Sequence, residues 1–376
     1  MFELTQEQKE IVSCDLLPGQ ILKVIAFAGT GKTSTLVEYA KARPHMRFLY
    51  IAFNKSVQNE AVRKFSSNVT AKTSHAIAFR SHGYMHQNRL VTSFKPSLVK
   101  EVLRLDSFED SKYTIDTLYN YLVSKDSKVS KWHIPYEMRI FYRQKQKAIP
   151  DFICLANRLG RIMCDVSDKK IGMLHDGYLK LYQLSKPMLN YDCILLDEAQ
   201  DINPATSDFV LSQSQPDRKR KAASIILVGD SHQQIYSFRG AKDTLKKIES
   251  TNTMYLTRSF RFDNNVARVA NLVLKNFKGE KRKLVGFPLK KETKPKWNPR
   301  QYTVIARTNA AIFDEAVQLY NSRKIGFVGG ISGYRFSTIK DVYHLNANNY
   351  HKIYNQFIKS FGSYRDLKQY AADTED

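Results

Sequence analysis

The sequence is poor in cysteine and has no long apolar run. Its four cysteines among 376 residues form no C-x-x-C pair and lie far apart, so we expect buried thiols in a reducing compartment. No apolar stretch approaches the ~20 residues of a membrane span, which excludes a membrane-spanning helix. The N-terminus, MFELTQEQKE, is charged and lacks the apolar core of a signal peptide. These absences predict an intracellular protein, nuclear in a eukaryote and cytoplasmic in a bacterium.

Acidic residues are scarce relative to basic ones. The chain has 59 Lys and Arg against 36 Asp and Glu, which gives a formal net charge of +23. Such a surplus favours a polyanionic partner, with nucleic acid ahead of an anionic membrane, although solubility alone also accounts for it. The aromatic residues, 12% of the chain, offer flat faces on which bases stack. A length of 376 residues with 43% hydrophobic residues predicts a globular chain of two or three domains.

The most informative pattern is a strand, a small-residue loop and a helix around residue 30. Apolar residues 21–27 lead into the loop, and the helix-compatible residues 32–42 follow it. A glycine-rich turn that opens onto a helix N-terminus directs several backbone N–H groups and the helix dipole at one point, which suits a polyphosphate. Ala26 stands where the general G-x-x-x-x-G-K-[ST] pattern has its first glycine. The residues predicted to hold the nucleotide are Ala28, Gly29, Thr30, Gly31, Lys32, Thr33 and Ser34, with Lys32 on the β- and γ-phosphates and Thr33 on Mg²⁺.

Strand-like and helical segments alternate after this loop, which predicts an α/β core of parallel strands. Phe53, Asn54 and His75 follow two of the predicted strands, at the sheet edge where ligands bind in such cores. From about residue 83 to 168 the pattern changes to helical segments rich in basic and aromatic residues. This block predicts an inserted helical subdomain. Its surface suits either a groove for single-stranded nucleic acid or an ordinary solvated basic face.

A second motif supplies acidic residues. The apolar residues 193–196 end in Asp197 and Glu198. Asp197 is predicted to contact the metal, usually through its water shell, and Glu198 to orient and deprotonate the attacking water. A further apolar strand, residues 224–229, leads into a polar and aromatic segment that contains Gln233, Tyr236, Phe238 and Arg239.

These stretches together resemble the superfamily 1 DNA helicases of the UvrD/Rep type. Within that group the chain is most similar to the helicase core of the F-box DNA helicase family. The matching stretches run in the family's order and include LTQEQKEIV, AFAGTGKTSTL, LYIAFNKSVQNEA, TAKTSHAIAFR, LLDEAQD, LVGDSHQQIYSFRGA and LTRSFRF. The resemblance implies ATP and Mg²⁺ as cofactors, single-stranded DNA as partner, and work in DNA repair or recombination.

The resemblance also implies a domain plan. Residues 1–82 and 170–250 would form a RecA-like, P-loop ATP-binding domain, residues 83–169 the inserted helical subdomain, and residues 251–376 a partial second RecA-like domain. In that second domain we expect strands at residues 253–256 and 302–306, and helices at residues 264–277 and 309–320.

Individual roles follow from the same resemblance. Gln8 would read adenine and Phe260 would stack on it, while Gln233 would sense the γ-phosphate. Arg261 would reach that phosphate from the second RecA-like domain as an arginine finger. The residues implied to grip single-stranded DNA are Phe53, Tyr236 and Phe238 by stacking, and Asn54, His75 and Arg239 by holding the strand or linking it to the ATP site. Core packing is the alternative for Tyr236 and Phe238.

The chain departs from the family towards its C-terminus. Neither a Thr-x-His-x-x-Lys-Gly motif nor a Thr-Arg-Ala motif is found, and no F-box segment is present, so no ubiquitin-ligase adaptor is expected. A truncated paralogue, a fragment and a mis-set gene model explain the short chain equally well. The prediction is an ATP-dependent helicase or translocase that moves 3′ to 5′ on single-stranded DNA. A non-motor ATP- and DNA-binding remnant is the first alternative, a P-loop NTPase with a small substrate is the second, and the oligomeric state stays open.

Overall fold

The computed structural model describes residues 3–144, 146, 148–216, 221–234, 245, 248–288, 301–334 and 336–374. The chain divides into two compact units. The first comprises residues 1–138 and 148–290, and the second comprises residues 139–147 and 291–376.

A six-stranded parallel sheet forms the centre of the first unit. The strands of the described residues are β1 (Ile21–Ala26), β2 (Phe48–Ala52), β3 (Val69–Thr73), β4 (Leu90–Val91), β5 (Met173–Leu174), β6 (Cys193–Leu196), β7 (Ser224–Gly229) and β8 (Asn252–Leu256). The sheet order is β3-β2-β6-β7-β1-β8, and every pairing is parallel. The short strands β4 and β5 pair separately. The predicted α/β fold with a parallel, RecA-like sheet is confirmed.

The central strands are continuous apolar runs because both faces of the sheet are covered. Every residue of β2, β6 and β7 is buried. Side chains alternate between the faces, so that Leu49 and Ile51 join one apolar cluster while Phe48 and Tyr50 join the other. Each face is therefore a separate core, and the polar residues that matter for chemistry are left at the strand ends.

Helices cover both faces. Those nearest the loop after β1 are α1 (Gln6–Ser13), α2 (Lys32–Lys41), α3 (Lys55–Lys64) and α4 (Ser74–Ala78). The block that the sequence predicted to be helical contains α5 (Pro96–Leu103), α6 (Phe108–Val123), α7 (Tyr136–Gln144) and α8 (Phe152–Cys164). The chain continues with α9 (His175–Leu184), α10 (Pro204–Leu211) and α11 (Asn264–Lys278). The helix expected at residues 264–277 is thus confirmed as α11.

The assignment of residues 253–256 to the second domain is wrong. Strand β8 pairs along β1, with Leu22 opposite Asn252 and Ala26 opposite Leu256. The physical reason is burial, since Leu256 packs in the same apolar cluster as β1 and leaves no open edge on that strand. The other proposed domain boundaries stay predictions.

The second unit is helical in its described part. Its helices are α12 (Asn309–Leu319), α13 (Phe336–Asn346), α14 (Gln356–Lys359) and α15 (Tyr364–Thr374), so the helix expected at residues 309–320 is confirmed as α12. The strand expected at residues 302–306 is wrong, and residues 301–334 and 336–374 contain no strand at all. Ile305 is 89% exposed. An apolar, strand-like sequence without a neighbouring strand gains neither ladder hydrogen bonds nor burial.

Two smaller expectations also have outcomes. Among the four cysteines only Cys193 is fully buried, and Cys154 is exposed, so the expectation of four buried thiols is wrong. In the described part of the chain, every helix is too short or too polar to cross a bilayer.

Candidate functional site

The carboxyl ends of the parallel strands meet at one edge of the sheet. Strand β1 leads into the loop of residues 27–31, β6 into Asp197 and Glu198, and β7 into Asp230. Open parallel sheets bind their ligands outside this edge, because the strand ends and the helix N-termini converge there.

The loop after β1 depends on two glycines. Gly29 and Gly31 have φ angles of 74° and 77°, in the left-handed region that glycine adopts without strain. A Cβ atom on Gly29 would lie 2.6 Å from the Cβ of Arg261, and one on Gly31 would lie 2.9 Å from Nε2 of Gln8. The Thr30 hydroxyl donates a hydrogen bond of 2.9 Å to the Phe27 carbonyl and closes the turn. The loop therefore forms a tight cradle, with no side chain at Gly29 and Gly31, that opens onto the N-terminus of α2.

Lysine, threonine and the acidic pair come together across this edge. Lys32 Nζ lies 2.5 Å from Glu198 Oε2, although 166 residues separate them in sequence. The Thr33 hydroxyl donates to Asp197 Oδ2 at 2.9 Å. The four residues that the two motifs singled out thus form one cluster.

Asp197 is buried and held by three donors. Besides Thr33, the Tyr50 hydroxyl donates to Oδ2 at 2.7 Å and the Glu198 backbone N–H donates to Oδ1 at 2.9 Å. Burial, aided by the neighbouring Glu198 charge, raises the pKa of Asp197, and the hydrogen bonds together with the Lys32 charge oppose that rise. Burial and the Asp197 charge raise the pKa of Tyr50, so its hydroxyl stays a donor at neutral pH.

Glu198 has an unusual backbone and a buried amide partner. Its φ of 50° places a non-glycine residue in the left-handed region, a conformation that costs about 1–3 kcal/mol and needs support from its surroundings. Gln200 gives part of that support, because its Nε2 donates to Glu198 Oε2 at 2.9 Å while its Oε1 accepts from the Asp230 N–H at 3.0 Å. The ends of β6 and β7 are joined through this one side chain.

The segment after β7 is fixed by Asp230. Gln233 donates from Nε2 to Asp230 Oδ2 at 2.7 Å and from its backbone N–H to the Asp230 carbonyl at 3.0 Å. His232 lies 3.0 Å from Glu280 and stacks on Phe27 at the start of the loop. Gln233 is thus at the predicted edge of the sheet, with its amide engaged by Asp230. Tyr236, Phe238 and Arg239 lie outside the described residues.

Gln8, Phe260 and Arg261 border the loop from its other side. The Gln8 amide donates to the Thr35 hydroxyl at 3.1 Å and accepts from the Thr5 N–H at 3.0 Å. The Phe260 N–H donates to the Gly29 carbonyl at 2.8 Å. Arg261 lies in the first unit, carried there by β8, so its expected approach from the second domain is wrong. The physical reason is the pairing of β8 with β1, which places residues 257–261 beside the loop.

The profile of the AAA domain family matches residues 8–239, more than half of the chain. The chain belongs to this family. The chain is 36% identical to F-box DNA helicase 1 of Gallus gallus over 402 aligned residues. The match covers 100% of this chain and 39% of that protein. F-box DNA helicase protein 1 of Schizosaccharomyces pombe is 33% identical over 355 residues, which cover 84% of this chain and 39% of the yeast protein.

A bacterial relative is more distant. A probable DNA helicase II homolog of Mycoplasma pneumoniae is 25% identical over 316 residues, which cover 72% of this chain and 42% of that protein. The chain spans about two fifths of the length of the curated relatives it matches. The resemblance drawn from the motifs is confirmed: this is a UvrD/Rep-like core related to the F-box DNA helicases.

The polar cluster of the AAA domain fits a magnesium nucleotide. The loop of residues 27–31 opens onto the N-terminus of α2, where backbone N–H groups can face phosphate oxygens, and Lys32 adds a positive charge. The Thr33 hydroxyl and the Asp197 carboxylate are oxygen ligands of the kind that Mg²⁺ prefers beside phosphates. Among the described residues no cluster of three or more His, Cys, Asp or Glu would hold a metal by itself. Binding of the metal together with phosphates agrees with such a donor set.

Three of the residues predicted to contact DNA, Phe53, Asn54 and His75, lie at the neighbouring strand ends of the AAA domain. Phe53 follows β2 and is half-buried. The Asn54 side chain accepts from the Val57 N–H at 2.9 Å and caps α3. His75, after β3, lies 3.2 Å from Asp176 on α9. The three residues therefore share the edge that carries the nucleotide cluster, and Asn54 also has a structural duty.

Two functional residues escaped the sequence analysis. The sequence analysis counted Tyr50 only as part of an apolar strand. Its hydroxyl could have revealed a role, because a buried tyrosine O–H needs a hydrogen-bond partner. Gln200 was part of the quoted LLDEAQD stretch, yet only the fold shows that its amide spans two strand ends.

Proposed function

We propose that this chain binds ATP with Mg²⁺ and uses its hydrolysis to move 3′ to 5′ along single-stranded DNA as a helicase or translocase. The observation that carries the proposal is the contact of Lys32 and Thr33 with Glu198 and Asp197, since it unites a phosphate-binding lysine, a metal-binding hydroxyl and two acidic groups. A role in DNA repair or recombination and a nuclear or cytoplasmic location belong to the same proposal.

The proposal gives each residue of the cluster a task. Lys32 neutralises Glu198 when phosphates are absent, and it would turn to them when they enter the cradle. Glu198 would then be free to accept a proton from water, while Gln200 keeps its carboxylate in place. Thr33 and Asp197 would hold the metal, which supplies a positive charge against the phosphate oxygens.

The remaining predicted residues complete the proposal. Gln8 and Phe260 would bind the adenine, and Arg261 would stabilise the charge that develops on the transferred phosphoryl group. Gln233 would report the γ-phosphate to the segment that follows it. Phe53 and His75 follow β2 and β3, which are one and two strands away from β6 and its acidic pair, and they would contact DNA along this edge. The net charge of +23 favours such a partner.

The test is ATP hydrolysis by the purified chain with and without single-stranded DNA, with Lys32→Ala as the blank. Turnover that DNA stimulates and that the variant lacks is the expected result. Strand separation on duplexes with a 3′ or a 5′ tail then tests direction, and the 3′-tailed duplex should be the substrate. Binding of ATP and DNA without turnover would identify a non-motor binding module, and turnover indifferent to DNA would contradict the proposal.

A further inference from the structure

A carboxylate to which the sequence analysis gave no role connects the two segments that carry the proposed base-binding residues. Glu7, in the first turn of α1, accepts two hydrogen bonds from Thr257, which directly follows β8. Its Oε2 accepts from the Thr257 N–H at 2.8 Å and its Oε1 accepts from the Thr257 hydroxyl at 2.7 Å. Two bonds between one carboxylate and one residue fix direction as well as distance.

Each end of this connection adjoins a side chain of the site. Gln8 follows Glu7 in α1, and Phe260 lies three residues after Thr257. A Cβ atom on Gly31 would lie 2.9 Å from Gln8 Nε2 and 3.6 Å from the Phe260 ring, so both side chains approach the same point above the loop. The distance between Gln8 and Phe260 therefore depends on how α1 is fastened to the segment after β8.

We propose that Glu7 is a positioning residue that sets the preference of this site for adenine over guanine. The inference rests on the proposed function of the nucleotide site. An adenine edge offers a donor beside an acceptor and a guanine edge offers two acceptors, so a glutamine amide discriminates between them only when its orientation is held. Glu7 fixes α1, and thus Gln8, relative to the Phe260 ring that would stack on the base.

A purely local role for Glu7 makes a different prediction. An acidic side chain in the first turn of a helix is stabilised by the helix dipole, and such a role needs the negative charge but not Thr257. Glu10 provides the control, because it lies on the same helix, is exposed, and its carboxylate accepts a hydrogen bond of 3.0 Å from Gln6 Nε2. Glu7→Gln separates the two roles, since its amide has no charge but can still accept from the Thr257 N–H and donate to the hydroxyl oxygen.

The experiment compares equilibrium binding of ribose-labelled fluorescent ATP and GTP to the full chain and its variants. Glu7→Ala should weaken ATP binding about tenfold with GTP binding nearly unchanged, as expected for the loss of about one well-made hydrogen bond to the base. Glu7→Gln and Glu10→Ala should keep the parental ratio of ATP to GTP affinity. Thr257→Val, which removes one of the two bonds, should fall between the parent and Glu7→Ala.

Thermal unfolding of each variant distinguishes positioning from simple stabilisation. If Glu7→Ala lowers the melting temperature while its ATP-to-GTP ratio equals that of Glu10→Ala, the inference is wrong and the proposed function is untouched. Should Glu7→Ala not fold, the ratio measured for Thr257→Val decides the matter in the same way. A parent chain that binds ATP no better than GTP would overturn both the inference and the adenine-reading role of Gln8.

Discussion

Tyr50→Phe deletes one hydroxyl from the buried strand β2 and leaves the shape of the ring unchanged. The hydroxyl donates to Asp197 Oδ2 at 2.7 Å, and a hydrogen bond to a charged acceptor contributes about 1.5–3 kcal/mol. Asp197 keeps the Thr33 hydroxyl and the Glu198 N–H as donors, so we expect a loss near the lower end, about 2 kcal/mol in the free energy of unfolding.

On the proposed function, the same hydroxyl would orient the carboxylate for Mg²⁺. If all of the lost energy served that orientation, the Mg²⁺ concentration for half-maximal ATP hydrolysis would rise about 30-fold, because 1.36 kcal/mol corresponds to a factor of ten. We expect a rise of at least about threefold. The hydrogen bond from Tyr50 also lowers the pKa of Asp197, so in the variant the acid limb of Mg²⁺-dependent activity should move to higher pH.

Urea unfolding and Mg²⁺ titrations of nucleotide binding and hydrolysis measure these effects. Tyr39→Phe is the control, since Tyr39 is a buried tyrosine of the same apolar cluster on α2. If the two variants lose equal stability and require equal Mg²⁺, Tyr50 has no special relation to Asp197 and the reasoning fails.

Three further variants test other parts of the site. Asp197→Asn should abolish Mg²⁺-dependent hydrolysis yet stabilise the nucleotide-free chain. Burial raises the pKa of Asp197 in the folded state, so the ionised carboxylate lowers the stability of the parent above that pKa. Urea unfolding should show the variant to be more stable than the parent at pH 8, and this difference should disappear as the pH falls through the folded-state pKa. Gly29→Ala should abolish binding of fluorescent ATP and lower the melting temperature more than Gly279→Ala does. Both glycines have a positive φ, but only at Gly29 would the new Cβ atom lie 2.6 Å from the Cβ of Arg261. Equal effects of the two variants would contradict the predicted clash. Asn54→Ala should lose about 1 kcal/mol in unfolding free energy by uncapping α3 and Asn54→Ser should recover it; DNA affinity that Asn54→Ser fails to recover would show that the amide itself touches DNA.

Local patterns predicted the parts of the site that lie within one segment. The loop before α2 and the acidic pair after β6 were found because a strand, its following turn and the next helix are neighbours in sequence. The rule that parallel strands end at one edge explains why Lys32 lies beside Glu198 in the structure. Recognising either motif needed no long-range contact to be known in advance.

What was missed depends on contacts between distant segments. The bond from Tyr50 to Asp197 spans 147 residues and requires the pairing of β2 with β6. The apolar pattern of residues 252–256 alone fitted the first sheet and the expected second domain equally, and tertiary packing against β1 decided between them. The capping role of Asn54 was readable locally, because asparagine before a helix is a preferred N-cap, but the functional assignment took precedence.

The sheet order has a consequence for folding of the chain during its synthesis on the ribosome. Strand β1 pairs with β7 and β8 in the described structure, and Leu256, the last residue of β8, is made 230 residues after Ala26. At a translation rate of about 5–20 residues per second, roughly 10–50 s pass between the synthesis of β1 and the completion of β8. The loop of residues 27–31 is thus translated early and assembled late, so nascent chains stalled before residue 256 should fail to retain ATP. During that interval the apolar strand β1 lacks its partner strands, and exposed apolar segments of this kind are what chaperones bind.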